Sequence, residues 1–172
     1  MIKSLDLGSG PNPRNPFNAD EVYGIDIGQR VGQLSNIISA DLAIEPIPFD
    51  AGNFDFVTAY DFIEHIPRVI YNPKRRLPFV ELMNEIYRVL KMGGHFLSNT
   101  PAYPDASAFM DPTHVNIITE GTFPLYFGDN RENCPWAAMY GFTGCFHMIS
   151  QDWNGPHLTS LMQKIPPPAG KS

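Results

Sequence analysis

The sequence predicts an α/β protein: a mostly parallel sheet with an antiparallel hairpin at its C-terminal end and a shortened first helix. Three observations carry this expectation. Five short apolar runs, bounded by Gly, Pro, Asp or Asn, read as strands buried on both faces. A long amphipathic helix lies between the fourth run and the fifth, and strand–helix–strand order favours parallel pairing. Two further apolar runs near the end are joined by a short Gly-Pro connection that suits a hairpin.

The elements follow in order. Residues 2–7 form the first expected strand and run straight into Gly8-Ser9-Gly10. A helix normally follows such a glycine turn, but Pro11, Pro13 and Pro16 stand there instead, and proline breaks helices. Residues 21–28, "EVYGIDIG", are the second strand, 36–42 the third, 54–62 the fourth and 95–100 the fifth. The helix is read over 78–94, where Phe79, Leu82, Met83, Ile86, Val89 and Leu90 place their side chains on one face. Arg88 and Lys91 suit its C-terminal end, and Gly93 is read as the residue that stops it. Residues 140–150 and 157–165 are the hairpin strands. One domain thus spans 1–165, and "PPPAGKS" at 166–172 is read as a frayed tail. Its Gly-Lys-Ser is not a phosphate loop, because Ile165 holds the first glycine position and no helix follows.

Composition narrows the function classes. A net charge of −6 over 172 residues argues against clinging to nucleic acid or anionic membrane by bulk electrostatics. No apolar run approaches the roughly 20 residues of a membrane span, and "MIKSLDLGSG" has no signal-peptide pattern, so a cytoplasmic location is expected. Cys134 and Cys145 are too few for a disulfide framework and are read as reduced and structural.

The glycine turn points to a ligand. A dinucleotide site uses G-x-G-x-x-G to aim backbone N–H groups at a pyrophosphate. Here Gly8 and Gly10 are present, but Pro13 holds the third glycine position, and neither Pro11 nor Pro13 has an N–H to give. A phosphate is badly served. Asp26, at the end of the second strand, can still accept both hydroxyls of a ribose. The ligand expected is a nucleoside carrying something other than phosphate.

The stretches "LDLGSGPNP", "YGIDIG", "ADLAIEPIPF", "FDFVTAYDFIEHI" and "EIYRVLKMGGHFLSNTPAYP" come in the order found in class I S-adenosylmethionine-dependent methyltransferases. Over about residues 4–104 the chain resembles that family, most closely its small bacterial type-11-like members. The resemblance implies a Rossmann-like fold, S-adenosyl-L-methionine as cofactor, and a terminal hairpin that supplies the family's antiparallel strand. It also implies the cofactor site: Asp6, Gly8 and Gly10 around the methionine part, Asp26 at the ribose, Asp41 with Leu42 at the adenine, Tyr60 and Asp61 closing the pocket, and Ile27 among the cofactor contacts. The proline-rich segment 11–18 departs from the pattern and leaves one sheet face to be covered, for which a partner subunit, as in a homodimer, is a candidate.

The acceptor side is read from single residues. Glu64 and His65 are adjacent, so on a helix they point apart, and they are read as packing and hydrogen-bonding groups rather than a joint acid–base pair. "DPTHVNIITEGTF" at 111–123 is polar and lies beyond the fifth strand, where open α/β sheets bind ligands. Asp111 and His114 are three apart, so a helical turn puts them on one face, with His114 as general base and Asp111 orienting it. Asp111, His114, His147, His157 and the cysteines show no recognised zinc spacing, so no metal is expected. Lys74, Arg75 and Arg76 read as solvated surface. "NTPAYP" resembles the N-P-P-Y of enzymes that methylate base amino groups, but that motif follows the fourth strand and this one the fifth, so nucleic acid is not the expected acceptor. The combined reading is methyl transfer to a small-molecule or sugar-containing acceptor, at oxygen. The alternatives are a non-catalytic cofactor-binding module supporting a partner and, behind it, a nicotinamide-dependent reductase.

Overall fold

The computed structural model describes residues 1–28, 36–129 and 135–167; Cys134 and residues 168–172 of the expected tail lie outside the described residues. Five strands run parallel: β1 (Lys3–Leu7), β2 (Glu21–Asp26), β3 (Ile37–Ser39), β4 (Phe54–Tyr60) and β5 (Leu90–Pro101). The expected hairpin is formed by β6 (Phe146–Asn154) and β7 (His157–Lys164), with β7 antiparallel to both β5 and β6. All seven lie in one sheet, in the order β3-β2-β1-β4-β5-β7-β6. The helices are α1 (Pro78–Val89), α2 (Ser107–Met110) and α3 (Thr122–Tyr126), with 3₁₀ turns at Ile63–His65 and Trp136–Tyr140.

Several expected boundaries shift. The third strand is only Ile37–Ser39, and the first hairpin strand starts at Phe146, because residues 136–140 form a 3₁₀ turn. The shortening of the first helix is complete, since residues 8–20 form turns, bends and irregular segments only. The helix read over 78–94 ends at Val89, and Gly93 does not stop it. Leu90 is already extended and pairs with Phe54; Gly93, at φ +80°, lies in the irregular stretch before His95 pairs with Phe56. Gly94 stays bare because an added Cβ would stand 2.9 Å from two backbone oxygens.

The register puts Leu5, Leu7, Ile25, Val57, Ala59, Phe96, Leu158 and Met162 on one sheet face. Phe79, Leu82, Met83, Ile86 and Val89 of α1 join them in the core, together with Phe123, Phe127 and Phe142. Pro78 opens α1, where its missing N–H costs nothing. Arg88 clamps the helix to the β3–β4 connection, donating to Phe49 O at 2.7 Å and Ile47 O at 2.8 Å. At the far end Lys164 donates its ammonium to Tyr87 O at 2.6 Å and Leu90 O at 2.8 Å, so the last residue of β7 caps α1.

The opposite face carries Ser4, Asp6, Phe56, Thr58, Tyr60, His95, Leu97 and Leu161. The proline segment covers part of it. Phe17 stacks flat on Phe56 with centroids 4.1 Å apart, and the Arg14 guanidinium lies 4.5 Å above the Tyr60 ring. Ser9 and Pro13 press on Gly24 so closely that an added Cβ there would stand 2.7 Å from Pro13. Toward β5 and β7 the same face, at His95, Leu97, Leu161 and Gln163, stays half-buried. Among the described residues, no helix is long and apolar enough to cross a membrane.

Ile86 is fully buried between α1 and the sheet. Ile86→Ala should lower unfolding free energy by about 2–5 kcal/mol, through lost transfer energy and the cavity left behind. Val80→Ala, at a half-buried position on the same helix, should cost less. Urea melts of the two variants check this.

Candidate active site

Because β1 to β5 are parallel, their carboxyl ends meet along one edge of the sheet, and the residues singled out from the sequence gather there. Gly8, at φ +67°, starts the loop after β1; an added Cβ would stand 2.6 Å from the Phe62 ring, so the position needs glycine twice over. Gly10, at φ +55°, faces open space: among the described residues, nothing lies within 4 Å of where a Cβ would be. Gly8 N and Ser9 N both donate to Ile25 O, which pins the turn to β2.

Two carboxylates fix the rest of this loop. Asp6 is buried in the sheet; its Oδ1 accepts the Thr58 hydroxyl at 2.6 Å and its Oδ2 the Arg14 N–H at 2.8 Å. Burial pushes its carboxyl above the usual range, with those two bonds opposing. Asp26, at the end of β2, accepts Gly10 N at 2.9 Å and Gly28 N at 3.0 Å, one on each oxygen. Both oxygens keep further acceptor capacity, since an ionised carboxylate has about four lone-pair sites. Ile27 beside it stands in the open at 69% exposure. Asp41 follows β3 and makes an Asx turn with Ala43 N at 3.0 Å, while Leu42 is buried. Tyr60 ends β4; burial, then the nearby Asp6 charge, raises its hydroxyl pKa. Asp61 adopts φ +49° and pairs with His157 Nε2 at 2.7 Å, tying the end of β4 to the hairpin.

A second cluster stands beyond β4 and β5. The 3₁₀ turn after β4 carries Glu64 and His65, and the segment 111–118 is bonded onto it. Val115 N and Asn116 N donate to Glu64 O at 2.9 and 3.0 Å, Asn116 Nδ2 donates to Ile63 O at 3.1 Å, and Arg68 holds Asn116 Oδ1 at 2.7 Å. The His65 and His114 rings thereby meet edge to face at 5.0 Å. Adjacency had been expected to send Glu64 and His65 apart, yet each brings a ligating atom within 4.8 Å of the other and of one on His114. Their long side chains reach a common point that neighbouring backbone positions do not share. Glu64 is buried beside Thr100, whose hydroxyl donates to Oε2 at 2.6 Å, and burial raises its pKa.

The Asp111 carboxylate accepts its hydrogen bonds from Thr113 rather than from the His114 ring. Its Oδ1 accepts both Thr113 N at 2.7 Å and Thr113 Oγ1 at 2.6 Å, and these bonds hold its carboxyl below the usual range. Thr113 Oγ1 in turn lies 3.0 Å from His65 Nδ1, so Asp111 reaches His65 through Thr113. The link to His114 is its backbone N–H to Asp111 O at 3.0 Å. Thr58, Thr100, Asn116 and Arg68 were not anticipated; the available signal was a polar residue set inside an otherwise apolar strand, as Thr58 and Thr100 are.

Residues 5–98 match the family described as a methyltransferase domain. The chain belongs to that family. These are class I S-adenosylmethionine-dependent methyltransferases, and S-adenosylmethionine is their cofactor. The match takes in Asp6, the glycine loop, Asp26, Asp41 and Tyr60-Asp61, and stops before Asp111 and His114. Solved structures share the fold. A chain from the Haloferax volcanii complex of the Trm112 methyltransferase activator superposes with TM-score 0.62 at 13% identity, over 99% of this chain and 84% of that one. An Aquifex aeolicus SAM-dependent methyltransferase gives 0.60 at 15% identity, over 95% and 82%. The [4+2]-cyclase SpnF gives 0.58 at 13%, over 96% and 75%. At such identities the likeness is one of fold alone. No curated protein sequence matches the chain.

The raised pKa of Asp6 makes a signed prediction. A carboxyl with a higher pKa folded than unfolded contributes stability at low pH, and that contribution is lost as pH rises from the ordinary aspartate range through the raised value. The difference in stability between wild type and Asp6→Asn, followed by urea melts across acidic pH, should therefore move against the wild type as pH rises. A flat difference would mean that the two hydrogen bonds cancel burial.

Proposed function

We propose that this chain transfers the methyl group of S-adenosylmethionine to a hydroxyl of a small or sugar-containing acceptor. The observation that carries the reading is the loop after β1: glycines with open space over Gly10, few free N–H donors, and Asp26 beside it with spare acceptor capacity. In this reading the loop cradles a ribose and a phosphate-free chain rather than a pyrophosphate. In this reading Asp6, Gly8 and Gly10 border the methionine end, Asp26 accepts the ribose hydroxyls, Ile27 covers the adenine face, and Asp41 with Leu42 bounds its edge. Tyr60 and Asp61 close the site toward β4.

The cofactor supplies a methyl group made electrophilic by its sulfonium. The protein's part is to hold an acceptor oxygen in line, roughly 3–3.5 Å away, and to receive its proton. His114 is the proposed proton acceptor, half-buried and braced against His65, with Asp111 acting on the pair through Thr113. A cavity of about 720 Å³ at the same end of the sheet supports the acceptor class. Tyr103 and Trp153 offer aromatic faces there, and Asp105 and Glu120 offer carboxylates, a pairing that meets both the C–H side and the hydroxyls of a sugar.

One observation favours the second reading, a module that supports a partner. The Haloferax volcanii neighbour occurs with an activator, and here the face at Leu97 and Leu161 is only half-covered. A second copy of this chain is the homodimer form of that idea. A turnover assay separates the readings: S-adenosylhomocysteine should accumulate with at least one hydroxylated acceptor from a sugar and small-molecule panel. Tight cofactor binding with no turnover by the chain alone, and turnover once a partner is added, would favour the module.

Asp26→Ala should weaken S-adenosylmethionine binding by about 2–3 kcal/mol, roughly thirty- to hundredfold, because two ribose hydroxyls lose a charged acceptor. Asp26→Asn should fall between it and wild type. Calorimetry on the folded variants checks both; an unchanged dissociation constant would leave Asp26 as a brace for Gly10 and Gly28.

A further inference from the structure

We propose that Glu64, His65 and His114 bind a divalent transition-metal ion at the edge of the acceptor site. One ligating atom from each lies within 4.8 Å of the others. The three come from two segments far apart in sequence, fastened together by the bonds of Val115, Asn116 and Arg68 described above, so the grouping is built into the fold.

Two atoms of the cluster have no partner among the described residues. Glu64 Oε1 and His114 Nδ1 are buried and make no hydrogen bond there, although Glu64 is only 1% exposed and its other oxygen is satisfied by Thr100. Leaving buried polar atoms unpaired costs about 1–3 kcal/mol each, and a cation would engage both. His65 is prepared for the same task. Thr113 donates its hydroxyl proton to Asp111, so its oxygen accepts from His65 Nδ1–H, and Nε2 is left with its lone pair. A hydrogen bond on the far ring nitrogen is how ligating histidines are oriented.

The donor set selects the metal. Two imidazoles and one carboxylate suit zinc, iron, cobalt or nickel, whereas magnesium and calcium prefer all-oxygen sites. Bond lengths of about 2.0–2.2 Å require ligand atoms roughly 3–3.5 Å apart, so the rings close by about an ångström on binding. Three protein ligands leave a position open, the pattern of catalytic rather than structural zinc. The inference goes beyond methyl transfer, and it changes the part His114 plays: with the metal bound, His114 is its ligand rather than the acceptor's proton acceptor, because a nitrogen that binds the metal cannot also take that proton.

Protein stripped with a chelator and dialysed is titrated with zinc and with magnesium by calorimetry, and with cobalt(II) by visible absorption. One zinc should bind per chain, magnesium should not compete, and cobalt should give a ligand-field band. His65→Ala and His114→Ala should each weaken zinc binding at least tenfold and abolish the band, while thermal unfolding shows that they fold. His147→Ala, which alters an exposed histidine paired with Asp129 outside the cluster, should bind as wild type does. No saturable zinc binding by wild type, or equal binding by the double variant His65→Ala/His114→Ala, would overturn the proposal. Methyl transfer by fully stripped protein, with no zinc bound on titration, removes the metal and leaves the methyltransferase reading standing. One-to-one zinc binding lost in the variants, with no methyl transfer to any acceptor, does the reverse.

Discussion

The Asp6 carboxylate governs how this molecule is put together. It is buried in the sheet and bridges β1 to β4 through Thr58, and β1 to the proline segment through the Arg14 N–H. Where a helix follows the glycine turn, the helix's own hydrogen bonds fix the path of the chain. Here residues 8–20 have no such ladder, and the carboxylates of Asp6 and Asp26 hold the segment instead. Burying a charge-bearing group is costly unless it is bonded. The loop in turn supplies the bonds, so carboxylate and loop each justify the other.

That arrangement lets the segment do a second job. Once Arg14 is placed, its guanidinium lies over Tyr60, and Phe17 falls on Phe56. A stretch with too little regular structure to pack as a helix therefore still shields part of a sheet face. Its prolines lower the entropy lost on ordering it, because fewer conformations are open to the unfolded chain.

The parallel strands, their order of appearance and the glycine–acid spacing were legible in the sequence, since apolar runs and turn residues are local signals. Asp6 lies within β1, and Asp26 and Tyr60 end β2 and β4, close to the strand boundaries read from the sequence. The helix end was misread because Gly93 suits two different turns, and only pairing with Phe54 decides that Leu90 is already strand. The cluster at Glu64, His65 and His114 was harder. Its members are separated by about fifty positions, and the contact depends on Asn116 and Arg68 fastening 111–118 to the turn, which no periodicity reports. The Asp111–His114 spacing had the opposite fault: it was local and suggestive, but the bend at Pro112 and Thr113 gave the carboxylate a nearer partner.

The strand order has a consequence for synthesis. Within the sheet β6 borders β7 alone, yet β7 is the later of the two to emerge from the ribosome. Until it arrives, β5 presents a bare edge, β6 is held among the described residues by the bridge between Phe146 and Gly128, and the carbonyls at the end of α1 await the ammonium of Lys164. The molecule closes with a strand slid into a gap rather than added at a margin. A nascent chain stalled before residue 157 is thus a sheet with an open seam between β5 and β6, and the sheet is finished only once β7 has emerged.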